Sequence, residues 1–65
     1  MNGTKYSMLK QLLEKKHELD FLLLEYKRLT ETYTGDDKQL LLEVKAAEIK
    51  LKDYQIKTFE EKIPA

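Results

Sequence analysis

The sequence predicts an all-α fold: an antiparallel two-helix hairpin that resembles a coiled coil. Its composition is typical of long helices, because Leu, Lys and Glu dominate and charged residues make up 37% of the chain. The only internal cluster of turn-forming residues is "TYTGDD", residues 32–37. Since a short connection between two long helices favours antiparallel packing, we expect one helical hairpin over residues 1–65.

The first helix is predicted over about residues 5–33, because this segment holds good helix formers and neither Gly nor Pro. Thr4 or Ser7 is expected to cap its first turn, since either hydroxyl can accept a hydrogen bond from a free backbone N–H. The turn is predicted at 34–36, with Gly35 in the left-handed position that often follows a helix end.

The second helix is predicted over about residues 37–62. Asp36 is the expected cap, with Gln39 three residues later as a variant of the capping box. Pro64 is expected to stop the helix, because the residue before a proline avoids helical backbone angles.

Length and composition predict a small protein that needs a partner. A chain of 65 residues buries only roughly 60% of its unfolded surface, so its core is marginal. Without Cys it has no disulfide and no thiolate metal site. Small proteins without such cross-links often gain stability by oligomerisation or by binding another protein.

The charge balance argues against several classes of ligand. Twelve basic residues offset twelve acidic ones, whereas nucleic-acid binding usually requires a basic surface. No apolar run approaches the ~20 residues of a membrane span, and the N-terminus lacks the apolar core of a secretory signal. We therefore expect a soluble cytoplasmic protein that has no membrane span and does not bind nucleic acid, with no cofactor and no small-molecule ligand.

Apolar residues lie on two sides of the first predicted helix. A heptad pattern places one set along a single face, which comprises Met8, Leu12, Lys15, Leu19, Leu22, Tyr26, Leu29 and Tyr33, with Leu9 and Leu23 beside it. The run "FLLL", residues 21–24, extends beyond that face, because consecutive helical residues point about 100° apart. Leu13, His17, Phe21 and Leu24 therefore form a second set on the opposite side.

The second predicted helix shows the same two-sided pattern. One set comprises Leu40, Val44, Ala47, Leu51 and Tyr54, and the other comprises Leu42, Ile49, Ile56 and Ile63 with Phe59 nearby. A helix that is apolar on two sides is usually buried on two sides, but a lone hairpin can bury only one. We expect a partner to cover the other side, and the residues predicted to bind it are Leu13, His17, Phe21, Leu24, Leu42, Ile49, Ile56 and Phe59. The alternative is that these side chains are simply exposed.

Catalytic chemistry has few candidates in this chain. It has one Ser, no Cys and no Gly-rich phosphate loop, so we expect a protein that is not an enzyme. Glu14 and His17 have the Glu-x-x-His spacing of di-metal carboxylate bundles, but this spacing arises easily in a Glu-rich helix. We therefore expect no metal site and interpret His17 as a partly exposed residue.

Two short segments resemble known helical hairpins. "LLEKKHELD" resembles part of the Rop family of plasmid copy-number regulators, which implies a self-associating four-helix-bundle dimer that acts as a small regulator or inhibitor. "ELDFLLLEY" is similar to the Leu-Asp motif of the sporulation aspartyl-phosphate phosphatases, which implies a regulator with Asp20 in its site. Lys16 and His17 replace the Ser-Gln that precedes the family's motif.

A third resemblance covers the whole chain. Its length, its layout and the turn residues Gly35, Asp36, Lys38 and Gln39 resemble the small co-chaperones of type III secretion needle subunits. In that family a helical hairpin binds a helical-repeat chaperone, and together they keep the needle subunit soluble. The resemblance implies a binding role for one apolar face. Our leading prediction is a protein-binding module, and the homodimer is the alternative.

Overall fold

The computed structural model describes residues 2–63, which form two helices joined by a short turn. Helix α1 spans Asn2–Thr32 and helix α2 spans Lys38–Lys62. The two helices contact each other along an elongated body of 52 × 16 × 11 Å. This confirms the predicted all-α helical hairpin, and residues 2–63 contain no strand. Pro64, the predicted helix stop, lies outside the described residues.

Helix α1 begins earlier than predicted. It starts at Asn2, so the expected caps Thr4 and Ser7 lie inside the helix with exposed side chains. Once a helix has formed, each added residue gains one backbone hydrogen bond, and exposed Thr or Ser residues oppose this only weakly. The Ser7 hydroxyl accepts a long 3.5 Å hydrogen bond from the Gln11 amide one turn later.

The turn is closed by Tyr33 and not by a left-handed glycine. Gly35 has no positive φ, which corrects the predicted backbone conformation. Glycine leaves room for the Tyr33 ring, which lies directly over it: a Cβ on Gly35 would come 2.5 Å from the phenolic oxygen, so Tyr33 would have to move. The Tyr33 hydroxyl donates a 2.5 Å hydrogen bond to the Asp37 carboxylate, which raises the pKa of Tyr33.

The start of α2 also differs from the predicted capping box. The N-cap is Asp37, not Asp36, and its side chain makes no capping hydrogen bond, because it accepts the Tyr33 hydroxyl instead. Lys38 helps to join the helices, since its ammonium donates a 2.8 Å hydrogen bond to the Thr30 carbonyl. A cation at the C-terminal end of α1 satisfies a free carbonyl and interacts favourably with the helix dipole.

The core is a narrow seam between the helices. Only Leu12 and Ile56 are buried in the described part of the chain, at 9% and 4% exposure. The surrounding half-buried residues recur at spacings of three and four. We call this set the intrachain seam: Met8, Leu12, Lys15, Leu19, Leu22, Leu29 and Tyr33 of α1 with Lys38, Leu42, Lys45, Ile49, Lys52, Ile56, Phe59 and Ile63 of α2.

Besides Lys38, three lysines occupy positions in the seam that an apolar residue would normally fill. The Lys45 ammonium lies 3.4 Å from Glu25, and that of Lys52 lies 2.6 Å from Glu18. The Lys15 ammonium lies 5.4 Å from the centre of the Phe59 ring. Each lysine can cover apolar surface with its aliphatic chain while its charged end contacts the other helix.

Candidate protein-binding face

The structure corrects the assignment of binding residues on α2. Leu42, Ile49, Ile56 and Phe59 were predicted to bind a partner, but they belong to the intrachain seam and Ile56 is almost fully buried. The other apolar set of α2 is the one left exposed. We call it the outer stripe: Leu40, Val44, Ala47, Leu51 and Tyr54.

The predicted binding residues of α1 are all exposed. Phe21 is 61% exposed, Leu13 54% and Leu24 46%, and His17 is also exposed. On the seam side, Leu9, Leu23 and Tyr26 are more exposed than the heptad pattern predicted. The hairpin therefore leaves apolar side chains of both helices uncovered.

One side of the hairpin carries an open groove between the two helices. Near the turn, a space of about 430 Å³ is lined by residues of both helices. We call this surface the groove face and define it by six of its residues: Phe21, Leu24, Arg28, Leu41, Val44 and Glu48.

A second groove continues the first toward the free ends of the helices. It has a volume of about 520 Å³ and shares Phe21, Glu25 and Glu48 with the first groove. His17 lines it at the far end, whereas Leu13 lines neither groove. Phe21 therefore lies between the two grooves, and its exposed ring lines both of them.

The groove is bordered by charged pairs that connect the helices. Glu18 accepts a hydrogen bond from Lys52, and this contact holds the pKa of Glu18 below its usual value. Lys45 contacts both Glu25 at 3.4 Å and Glu48 at 3.9 Å. An apolar floor with a charged border is typical of a protein-binding site, because the border stays hydrated while the floor loses water when the partner binds.

Sequence reasoning missed four residues of the groove face, namely Arg28, Leu41, Val44 and Glu48. Val44 was recognised as apolar but placed in the set not assigned to binding. Leu41 and Arg28 flank the seam, and their role depends on how the helices are rotated about their axes. The 3–4 spacing of the outer stripe was visible in the sequence, but the same spacing occurs in the seam of α2.

The side chains that commonly bind metals are dispersed within residues 2–63. No group of three or more His, Cys, Asp or Glu side chains in this part of the chain could hold a metal ion. Its two buried residues, Leu12 and Ile56, are both apolar. The arrangement on the groove face can bind apolar side chains and exchange ion pairs at its border.

No helix within the described range is long and apolar enough to cross a membrane. Comparisons with protein-family models, with curated proteins and with solved structures gave no match for this chain.

Proposed function

We propose that this protein is a non-enzymatic binding module whose groove face takes up a helix of another polypeptide. The observation that carries the proposal is the position of Phe21, which is 61% exposed at the centre of a groove formed by both helices. Exposed apolar surface of this kind, bordered by charges, usually marks an interaction site.

Energetics support the need for a partner. Burying a Leu or Phe side chain is worth roughly 1.5–3 kcal/mol, and small domains are stable by only about 5–15 kcal/mol in total. Within residues 2–63 the hairpin buries only Leu12 and Ile56, and neither of them completely. Covering Phe21, Leu24 and Val44 would therefore add a large fraction of the stability that the intrachain seam provides.

The shape of the groove favours a helical ligand. Helices bind in apolar grooves through residues spaced three, four and seven apart. The groove between two packed helices has a shape into which the side chains of a third helix can pack. The resemblance to needle-subunit co-chaperones gives this proposal a specific form, in which the ligand is a helical-repeat chaperone. A cytoplasmic location belongs to that form of the proposal.

Two adjacent leucines provide a matched test. Leu24 lines the groove and Leu23 does not, although their exposed fractions are nearly equal at 46% and 48%. We expect Leu24→Asp and Phe21→Asp to abolish capture of the partner, because each puts a charge where an apolar side chain must be buried. Leu23→Asp should capture it as the unmodified chain does.

The measurement is affinity capture from the native host, with captured chains identified by mass spectrometry and a differently tagged copy of this chain included. Circular dichroism must show equal helical content for all variants. The proposal is wrong if Leu23→Asp and Leu24→Asp, both folded, lose capture equally or retain it equally.

A further inference from the structure

We propose that the molecule covering the groove face is a second copy of this chain, paired with the first in an antiparallel arrangement centred on Phe21. The inference rests on the proposed binding role of the groove face, and it assigns a second copy of this chain, in place of a helical-repeat chaperone, as the ligand. Two independent features of the hairpin support it: the size of its exposed surface and the order of charges along α1.

The exposed surface exceeds what a compact chain of this mass presents. The hairpin exposes 5274 Å², whereas a compact monomer of 7.7 kDa is expected to expose about 4,300 Å². The excess is similar to the roughly 800 Å² that each partner contributes to a stable interface of standard size. One hairpin laid against another would bury an area of this order and form a four-helix bundle.

The charges beside Phe21 are self-complementary. Glu14 and Arg28 lie seven residues before and after Phe21, so all three share one side of α1. Neither Glu14 nor Arg28 forms an ion pair within residues 2–63. The ligand of this face should therefore offer a basic group near Glu14 and an acidic group near Arg28.

A two-fold axis at Phe21 meets this requirement. In such a symmetric interface the same patch is used twice, so Arg28 lies opposite Glu14 of the second copy and the reverse contact follows. A parallel pairing would instead oppose like charges at each of these positions, which is unfavourable.

The decisive test is a charge exchange measured by analytical ultracentrifugation at several concentrations. We expect the unmodified chain to reach about twice its 7.7 kDa mass. Arg28→Glu and Glu14→Arg should each lower the dimer association constant at least tenfold, because each opposes like charges. The double variant Glu14→Arg with Arg28→Glu should recover most of the loss, since both pairs are restored with reversed sign.

The orientation is tested by cross-linking, since the chain has no Cys of its own. Glu14→Cys mixed with Arg28→Cys should form the mixed disulfide under a mild oxidant. Arg28→Cys alone should not, because in the antiparallel pair its two copies are separated by roughly 20 Å along the helix axis. A disulfide between two copies of residue 28 would overturn the antiparallel pairing.

A strictly monomeric chain up to high micromolar concentration would overturn the inference of a second copy, and so would a dimer unaffected by either charge reversal. These results leave the proposed function to its own test, because Leu23→Asp and Leu24→Asp can still differ in capturing another protein. Conversely, the chain could dimerise while Leu23→Asp and Leu24→Asp capture another protein equally. In that case the proposed function would be wrong and the inference of a second copy would stand.

Discussion

Tyr33 and Gly35 show how one contact in a turn depends on the absence of a side chain. The Tyr33 ring occupies the position that a Cβ on Gly35 would need, and its hydroxyl donates to Asp37 at the start of α2. The aromatic side chain thereby connects the end of one helix to the beginning of the next. Sequence reasoning identified Gly35 as the critical residue but assigned it the wrong physical role.

We expect Gly35→Ala to lower the free energy of unfolding by roughly 1 kcal/mol, because the new methyl group displaces Tyr33 and breaks its hydrogen bond to Asp37. In a Tyr33→Ala background the same substitution should be neutral or stabilising. The backbone at Gly35 is not left-handed, and Ala restricts the unfolded chain more than Gly does.

Urea denaturation of the four chains measures this coupling. Gly3→Ala is the control, because a Cβ at Gly3 would meet no atom within 4 Å. An equal loss from Gly35→Ala in both backgrounds would mean that the backbone of the turn, and not Tyr33, requires glycine.

At the scale of the helices, the outcome depends on which apolar face of α2 turns inward. Its two apolar sets have similar spacing, so either could pack on α1. In the structure, the face with Leu42, Ile49 and Ile56 packs inward, and Lys45 and Lys52 reach Glu25 and Glu18 across the seam. Exposed ion pairs contribute little stability each, but they disfavour the rotation that would leave these charges unpaired.

Leu12 and Leu13 test the seam with one residue type on one helix, since Leu12 is 9% exposed and Leu13 is 54% exposed. We expect Leu12→Ala to lower the free energy of unfolding by about 2 kcal/mol or more, because it removes buried apolar surface and leaves a cavity. Leu13→Ala should change it by less than about 0.5 kcal/mol in dilute, monomeric protein.

Thermal unfolding followed by circular dichroism is sufficient for this comparison. Similar losses for Leu12→Ala and Leu13→Ala would mean that α1 is rotated differently about its axis. The neighbouring positions then could not be divided into a seam and an exposed side.

The whole molecule is an open shape with much surface for its mass. A compact chain of 65 residues has an expected radius of gyration of about 11 Å, whereas this hairpin has 15.3 Å. Two helices give a layer only one helix thick, so each helix keeps a side that nothing within the hairpin covers. If a second molecule packs against this layer, it covers the exposed sides of the helices and the two layers share a larger core.

If a second copy supplies that layer, stability must depend on chain concentration. Each tenfold increase should stabilise the folded dimer by about 1.4 kcal/mol and raise the unfolding midpoint by several degrees. Phe21→Asp should unfold at one midpoint at all concentrations, because it cannot pair. Differential scanning calorimetry over a hundredfold range measures both, and a constant midpoint for the unmodified chain would contradict self-association.

The sequence by itself determined the two helices, the position of the turn and the two-sided apolar pattern. These features depend on local propensity and spacing, which neighbouring residues fix. For α1 it placed most seam residues on one face and Phe21 and Leu24 on the other, but it left open which face packs inside the hairpin, and it put the exposed Tyr26 in the seam.

Only the tertiary structure decided which face of α2 packs inward and which residues line the groove. Both depend on how α2 is rotated against α1. The rotation that is adopted brings Lys45 and Lys52 across the seam to Glu25 and Glu18. Such contacts join residues whose separation in the sequence carries no periodic signal, so spacing alone could not reveal them.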